Sequence, residues 1–138
     1  MTRQRIYQLS RYGKLLMLRA AVQGREGREV QAVRLLVDTG SSCTTLPLQI
    51  VEKLGYDLQN SIRSISMIAA NGIIEAPVVA VSWFNCLGER IENFPVVAYT
   101  LPKGTFWQGI LGMDFLTLCQ VVIAVEEAEI RIRQSIDE

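Results

Sequence analysis

An all-β fold, a barrel or a sandwich carrying one or two short helices, is what this sequence predicts, and three observations predict it. Short apolar or alternating runs recur along most of the chain, with turn-forming residues between them. Two of those runs flank Asn71-Gly72, a dipeptide whose tolerance of positive φ makes it the strongest short hairpin signal. Helix signals are confined to two stretches, one after Pro47 and one at residues 114–118.

Taken in chain order, residues 1–14 read as a basic, flexible N-terminal segment. Residues 15–22 and 30–37 are strands, and the loop 23–29 between them, with two glycines and several charges, suits a hairpin. Pro47 fits a first helical turn with Thr45 or Leu46 near the cap. Ile50, Val51 and Leu54 give that helix an apolar face, and Gly55 ends it. Residues 62–69 and 73–81 form the arms of the hairpin that turns at Ala70-Asn71-Gly72. Pro77 and Pro95 cannot donate to a ladder, so parts of their strands belong at an edge, and 91–99 remains a strand. The apolar run 120–125 suits a buried strand. The alternation Glu129-Ile130-Arg131-Ile132-Arg133 suits a half-exposed edge strand or ribbon.

Composition narrows the function classes. The 138 residues are 49% hydrophobic and 20% charged with a formal net charge of zero, the profile of one ordinary globular domain. Zero net charge argues against nucleic acid as a partner held by bulk electrostatics. The chain has no histidine, which excludes Ser-His-Asp and Cys-His catalysis and His-ligated zinc within one chain. Cys43, Cys86 and Cys119 are an odd number without metal-like spacing; they read as reduced thiols, with a redox role for Cys43 as the alternative. The apolar run 15–18 is short and flanked by Lys14 and Arg19, so neither a secretory leader nor a membrane span is expected and the expected location is cytoplasmic. Charge is uneven: residues 1–19 are basic without an acid, and the end of the chain is acidic. Both termini are either simply solvated, or paired with those of a second subunit.

The chemistry-bearing stretch is Asp38-Thr39-Gly40-Ser41-Ser42, entered through Leu35-Leu36-Val37. A buried strand that ends in a tight, glycine-permitted turn presents a carboxylate at its end. The bland reading is a turn whose Asp and Ser merely satisfy backbone groups. Further along, Ile110-Leu111-Gly112 precedes the second short helix. Trp83, Phe84, Phe106 and Trp107 read as core residues rather than a substrate pocket. Leu46, Ile110 and Leu111 stay open between core and cleft wall.

Read together, Asp38-Thr39-Gly40-Ser41, the Asn71-Gly72 hairpin and Ile110-Leu111-Gly112 resemble the retropepsin-like aspartic proteases of the single-lobed cellular and bacterial type, from about Leu15 to the C-terminus. The resemblance implies that residues 1–138 are a single retropepsin-like barrel domain with a flap hairpin over a cleft. It implies an aspartic endopeptidase in which Asp38 is the catalytic carboxylate and Thr39 reaches across a two-fold axis to the partner loop. The absent Cβ of Gly40 lets its N–H approach the carboxylate. Ser41, where viral members usually have Ala, would donate to the outer oxygen of Asp38 and so acid-shift activity relative to an Ala variant. Ala69, Ala70, Asn71 and Gly72 would form the substrate-binding flap tip, which lacks the tyrosine of two-lobed relatives. Ile110-Leu111-Gly112 would cross behind the loop, and Asp114 would cap a helix rather than catalyse. Because the motif occurs once, a homodimer with its site at the interface is implied, acting on a peptide or protein substrate with aliphatic side chains near the scissile bond. No metal or cofactor is implied, since the nucleophile is water. The alternatives are a catalytically silent domain of the same fold used for dimerisation or peptide binding, and a small β-barrel adaptor whose motif is accidental.

Overall fold

The computed structural model describes residues 2–69 and 72–135. In chain order these form β1 (Thr2–Gln8), β2 (Ser10–Tyr12), β3 (Leu15–Gln23), β4 (Val30–Val37), β5 (Thr45–Leu46), α1 (Leu48–Lys53), β6 (Arg63–Ala69), β7 (Gly72–Cys86), β8 (Glu89–Ala98), β9 (Gly109–Leu111), α2 (Met113–Leu118), β10 (Val121–Ala124) and β11 (Glu129–Ser135). One sheet runs β2-β3-β4-β9-β5-β8-β7-β6, and β3 pairs again with β7. That second pairing closes β3, β4, β9, β5, β8 and β7 into a six-stranded barrel, the all-β form expected. A second sheet runs β1-β11-β10. Among the described residues no helix is long and apolar enough to cross a membrane.

Alternation along the strands explains the barrel. Leu18, Ala20 and Val22 of β3 and Val33 and Leu35 of β4 are buried, while Arg19 between them points out. Inside, Phe84, Phe94 and Phe115 pack as a trio with ring centroids 5.0, 5.5 and 6.2 Å apart. Such pairs add about 0.5–1.5 kcal/mol each beyond the area they bury. Of the four aromatic residues expected in the core, only Phe84 is fully buried. Trp83 and Trp107 are half-buried and Phe106 is exposed. Leu46 and Leu111 are core residues.

Several expectations need correction. The basic segment 1–14 is not a loose extension: residues 2–8 pair in register with β11, from Thr2 opposite Ser135 to Gln8 opposite Glu129. Its inward positions are Arg5 and Tyr7 rather than aliphatics, so no apolar alternation marked it as a strand. Arg5 forms an ion pair with Glu89 of β8 and lies 5.9 Å from the Tyr7 ring centroid, which ties the smaller sheet to the barrel. β11 is consequently not an edge but the middle strand of three, with Ile130 and Ile132 buried. Thr45 and Leu46 form β5 rather than capping α1; Pro47 holds the cap position. The two prolines sit where their strands have a ladder partner on one side only: Pro77 opposite Ser64, Pro95 opposite Ala80.

The three cysteines are free thiols. Burial pushes the Cys86 thiol far above its ordinary value, helped by nearby Cys119. Cys119 is pushed up to about 11, first by burial and then by the Glu89 charge, with Arg5 opposing. A thiol that keeps its proton when folded but ionises from its ordinary value of 9.0 when unfolded costs stability as pH rises between those values. Stability should therefore decline above about pH 9 through both thiols, and Cys119→Ala should make the decline between about pH 9 and about pH 11 shallower in urea-midpoint measurements, with Cys86 still contributing. Identical profiles for the two proteins would contradict this assignment.

Candidate active site

β4 delivers Asp38 to the start of a tight turn in which the Ser41 amide donates to the Asp38 carbonyl at 3.2 Å. Within it the Gly40 amide folds back and donates to Asp38 Oδ1 at 2.8 Å. A Cβ on Gly40 would lie 3.1 Å from the same oxygen, so glycine is what permits that approach. Asp38 is half-buried, and Thr39 and Gly40 are exposed at the crest of the loop. Among the described residues the Thr39 hydroxyl meets no hydrogen-bond partner in its own chain.

Ser41 does not do what was expected of it. Its hydroxyl donates to the Cys43 carbonyl at 2.9 Å instead of to Asp38. The reason is local: a serine hydroxyl two residues from a carbonyl closes its own turn more readily than it reaches back.

The loop is held from behind by β9 and α2. The Asp38 amide donates to Leu111 O at 3.1 Å, and the Met113 and Asp114 amides donate to Ser41 O and Ser42 O at 2.8 and 3.2 Å. β9 itself runs between β4, parallel (Leu35 opposite Gly109, Val37 opposite Leu111), and β5, antiparallel (Thr45 opposite Ile110). The fit leaves no room for side chains at two positions. A Cβ on Gly112 would lie 2.6 Å from both the carbonyl carbon and the oxygen of Cys43, and one on Gly109 would overlap the Thr45 carbonyl.

Asp114 also departs from expectation. Gly112, not Asp114, occupies the cap position of α2, and no side chain caps it. The Asp114 carboxylate, from the first turn, serves two partners: Oδ1 accepts from the Phe115 amide of α2 at 2.7 Å and from the Thr44 hydroxyl at 2.7 Å, and Oδ2 accepts from the Thr44 amide at 2.9 Å. The same hydroxyl accepts from the Gly112 amide at 3.2 Å, so a fully buried threonine is satisfied as donor and acceptor. Sequence reasoning missed Thr44; nothing in a lone threonine after the motif signals that it is buried.

Asp38 opens into a groove of about 520 Å³. Ile65, Met67 and Ile68 of β6 form one wall, and Ile110, Tyr99 and Leu101 contribute elsewhere. The alternation of Ile65 and Met67 with Ser64 and Ser66 was the available signal for an apolar face on this hairpin. Ile68 and Ile73 stand opposite each other near its tip, 94% and 77% exposed. Ala69 pairs with Gly72 there, while Ala70 and Asn71 lie outside the described residues. Among the described residues no three Cys, Asp or Glu side chains converge as a metal site would require.

Comparison with known proteins follows the same lines. Residues 19–115 match the aspartyl protease family model. The chain is 30% identical over 114 residues to a Sinorhizobium sp. protein described as an uncharacterized protein in the cobV 5′ region, covering 83% of this chain and 45% of that one. It thus spans about half the length of that relative. The crystal structure of a retropepsin-like aspartic protease from Rickettsia conorii superposes with a TM-score of 0.63 at 18% identity, covering 99% of this chain and 97% of that one.

Removing the Asp114 carboxylate strands a buried amide and hydroxyl at Thr44. Asp114→Ala should therefore cost about 1–3 kcal/mol in urea unfolding, and Asp114→Asn, which keeps one acceptor, clearly less. Equal losses for the two variants would contradict the role given to the carboxylate.

Proposed function

The chain belongs to the aspartyl protease family in its retropepsin-like form, and on that premise we propose that it is an endopeptidase active as a homodimer, with one Asp38 from each subunit. The observation that carries this reading is a single carboxylate, half-buried at the base of an apolar groove and held on a rigid loop whose crest is exposed. Such a loop is half of a two-carboxylate site. Two copies facing each other across a two-fold axis supply the other half.

The chemistry follows from the pairing. Two carboxylates in contact cannot both ionise, so they share one proton and titrate as a unit. The ionised member takes a proton from a water whose oxygen attacks the scissile carbonyl carbon. The protonated member donates to the carbonyl oxygen. Collapse of the tetrahedral intermediate breaks the C–N bond as a proton passes to the leaving nitrogen. The Gly40 amide bonded to Asp38 Oδ1 orients the carboxylate. The Thr39 hydroxyl, without a partner among the described residues, is suited to bind the partner loop. The β6–β7 hairpin would lie along an extended peptide, adding main-chain hydrogen bonds while Ile65, Met67 and Ile68 receive apolar side chains.

Asp38→Asn should abolish peptide cleavage while leaving the dimer folded, as judged by sedimentation and thermal unfolding; residual cleavage at the parent rate would remove Asp38 from the mechanism. Specific activity should also fall on dilution through the dissociation range of the dimer, and a constant value down to a demonstrable monomer would rule out a shared site. A folded dimer that binds extended peptides without cleaving them would indicate the silent-domain alternative. Since Ser41 bonds Cys43 rather than Asp38, Ser41→Ala should leave the acid limb of the pH–rate profile in place. A shift of that limb toward higher pH would mean that Ser41 turns to Asp38 in the active enzyme.

A further inference from the structure

Arg19 and Arg34 stand directly opposite each other on β3 and β4, on the outside of the barrel. Like charges in that position repel across the ladder and weaken it. Among the described residues neither arginine has an ion-pair partner: the pairs there are Arg5–Glu89, Arg90–Glu92 and Arg131–Glu129. Arg34 is nevertheless held in place, its guanidinium 4.4 Å from the centroid of the Phe106 ring. Phe106 in turn stacks on Tyr12, with centroids 4.6 Å apart and planes within 5°, although the two rings are 45% and 50% exposed. Arg11, on the neighbouring β2, is fixed by donating to the carbonyls of Val125 and Glu126. These groups line a groove of about 570 Å³ that continues past Arg19 and Arg34 to Gln108 and shares no lining residue with the groove at Asp38.

We propose that this groove docks an acidic peptide segment, with Asp or Glu carboxylates bridging Arg19 and Arg34 and a further carboxylate reaching Arg11. A bridging carboxylate turns the cross-strand repulsion into two charge-assisted contacts, and a guanidinium fork matches a carboxylate in two parallel hydrogen bonds. Stacking on Phe106 pre-organises Arg34, so little side-chain freedom is lost on binding. The charge is local, three arginines in one groove of a chain with zero net charge, whereas a nucleic acid rewards a long basic track. β2 is also the end strand of its sheet, so an extended segment meets no further strand beside it among the described residues.

The test measures fluorescence anisotropy of a labelled oligoglutamate with the full Asp38→Asn chain, so that nothing bound is cleaved and the protease reading is not itself at stake. Arg19→Gln combined with Arg34→Gln should weaken binding about tenfold or more, the scale of losing charge-assisted hydrogen bonds, and added salt should weaken parent binding. Arg19→Gln alone relieves the repulsion and leaves Arg34 on Phe106, so it should keep or raise the melting temperature. No binding by the parent chain, unchanged binding by the double variant, or a lowered melting temperature of Arg19→Gln would each overturn the proposal. Tighter binding of oligothymidylate than of oligoglutamate would overturn it in favour of a nucleic acid.

Discussion

β9 passes between β4 and β5 with its backbone in contact on both sides, and the position of everything near Asp38 depends on that passage. Gly109 and Gly112 bracket the strand because any Cβ there would collide with the backbone of residues 43–45. The loop beyond β4 is then fastened to the far end of β9 and to the first turn of α2 by backbone hydrogen bonds at both its limbs. Each such bond contributes only about 0.5–1.5 kcal/mol net. What makes the assembly rigid is that the fully buried side chain of Thr44 has its partners supplied by Asp114 and Gly112. To move the loop is to leave those groups unsatisfied in the interior, which costs more than the bonds themselves return. A catalytic carboxylate needs that kind of support, since a small misplacement of the reacting group is expensive in rate.

Among the described residues no ion pair joins the basic beginning of the chain to its acidic end. The basic beginning lies along the end of the chain through the β1–β11 ladder, and Arg11 caps the carbonyls of the turn at Val125 and Glu126. The ion pair of Arg5 with Glu89 has an internal role, joining the three-stranded sheet to the barrel. Partly exposed pairs of this sort add little stability by themselves, on the order of 1 kcal/mol or less. Its place between two sheets matters more than its strength, because it fixes the angle at which the terminal strands leave the barrel.

The two faces of the barrel wall differ in how their side chains are satisfied. Inward, Phe84, Phe94 and Phe115 fill the space between β7, β8 and α2, and packing alone accounts for them. Outward, Arg19 and Arg34 form a pair that packing does not account for. Phe106, which composition placed in the core, is instead the surface that orients one of those arginines. Aromatic residues on a short chain are read as core by default, and the loop before β9 is where that default fails.

By itself the sequence determined the features set by local chemistry. The β3–β4 and β6–β7 hairpins follow from alternation and from glycine-bearing turns, and the Asp38 turn follows from a strand that meets Thr39-Gly40. Signals weaken wherever the partner is distant. Residues 2–8 lack apolar alternation and become a strand only because residues 129–135 lie alongside. β7 runs on to Cys86 because Leu87, a residue with no turn preference, takes a φ of 56° ahead of Gly88. Ser41 closes its own turn onto Cys43, a choice left to local geometry. Asp114 was assigned to the helix it opens; that it also holds Thr44 is decided by how closely β9 and α2 pack against the loop, and closeness of approach between distant segments is a property of the tertiary structure alone.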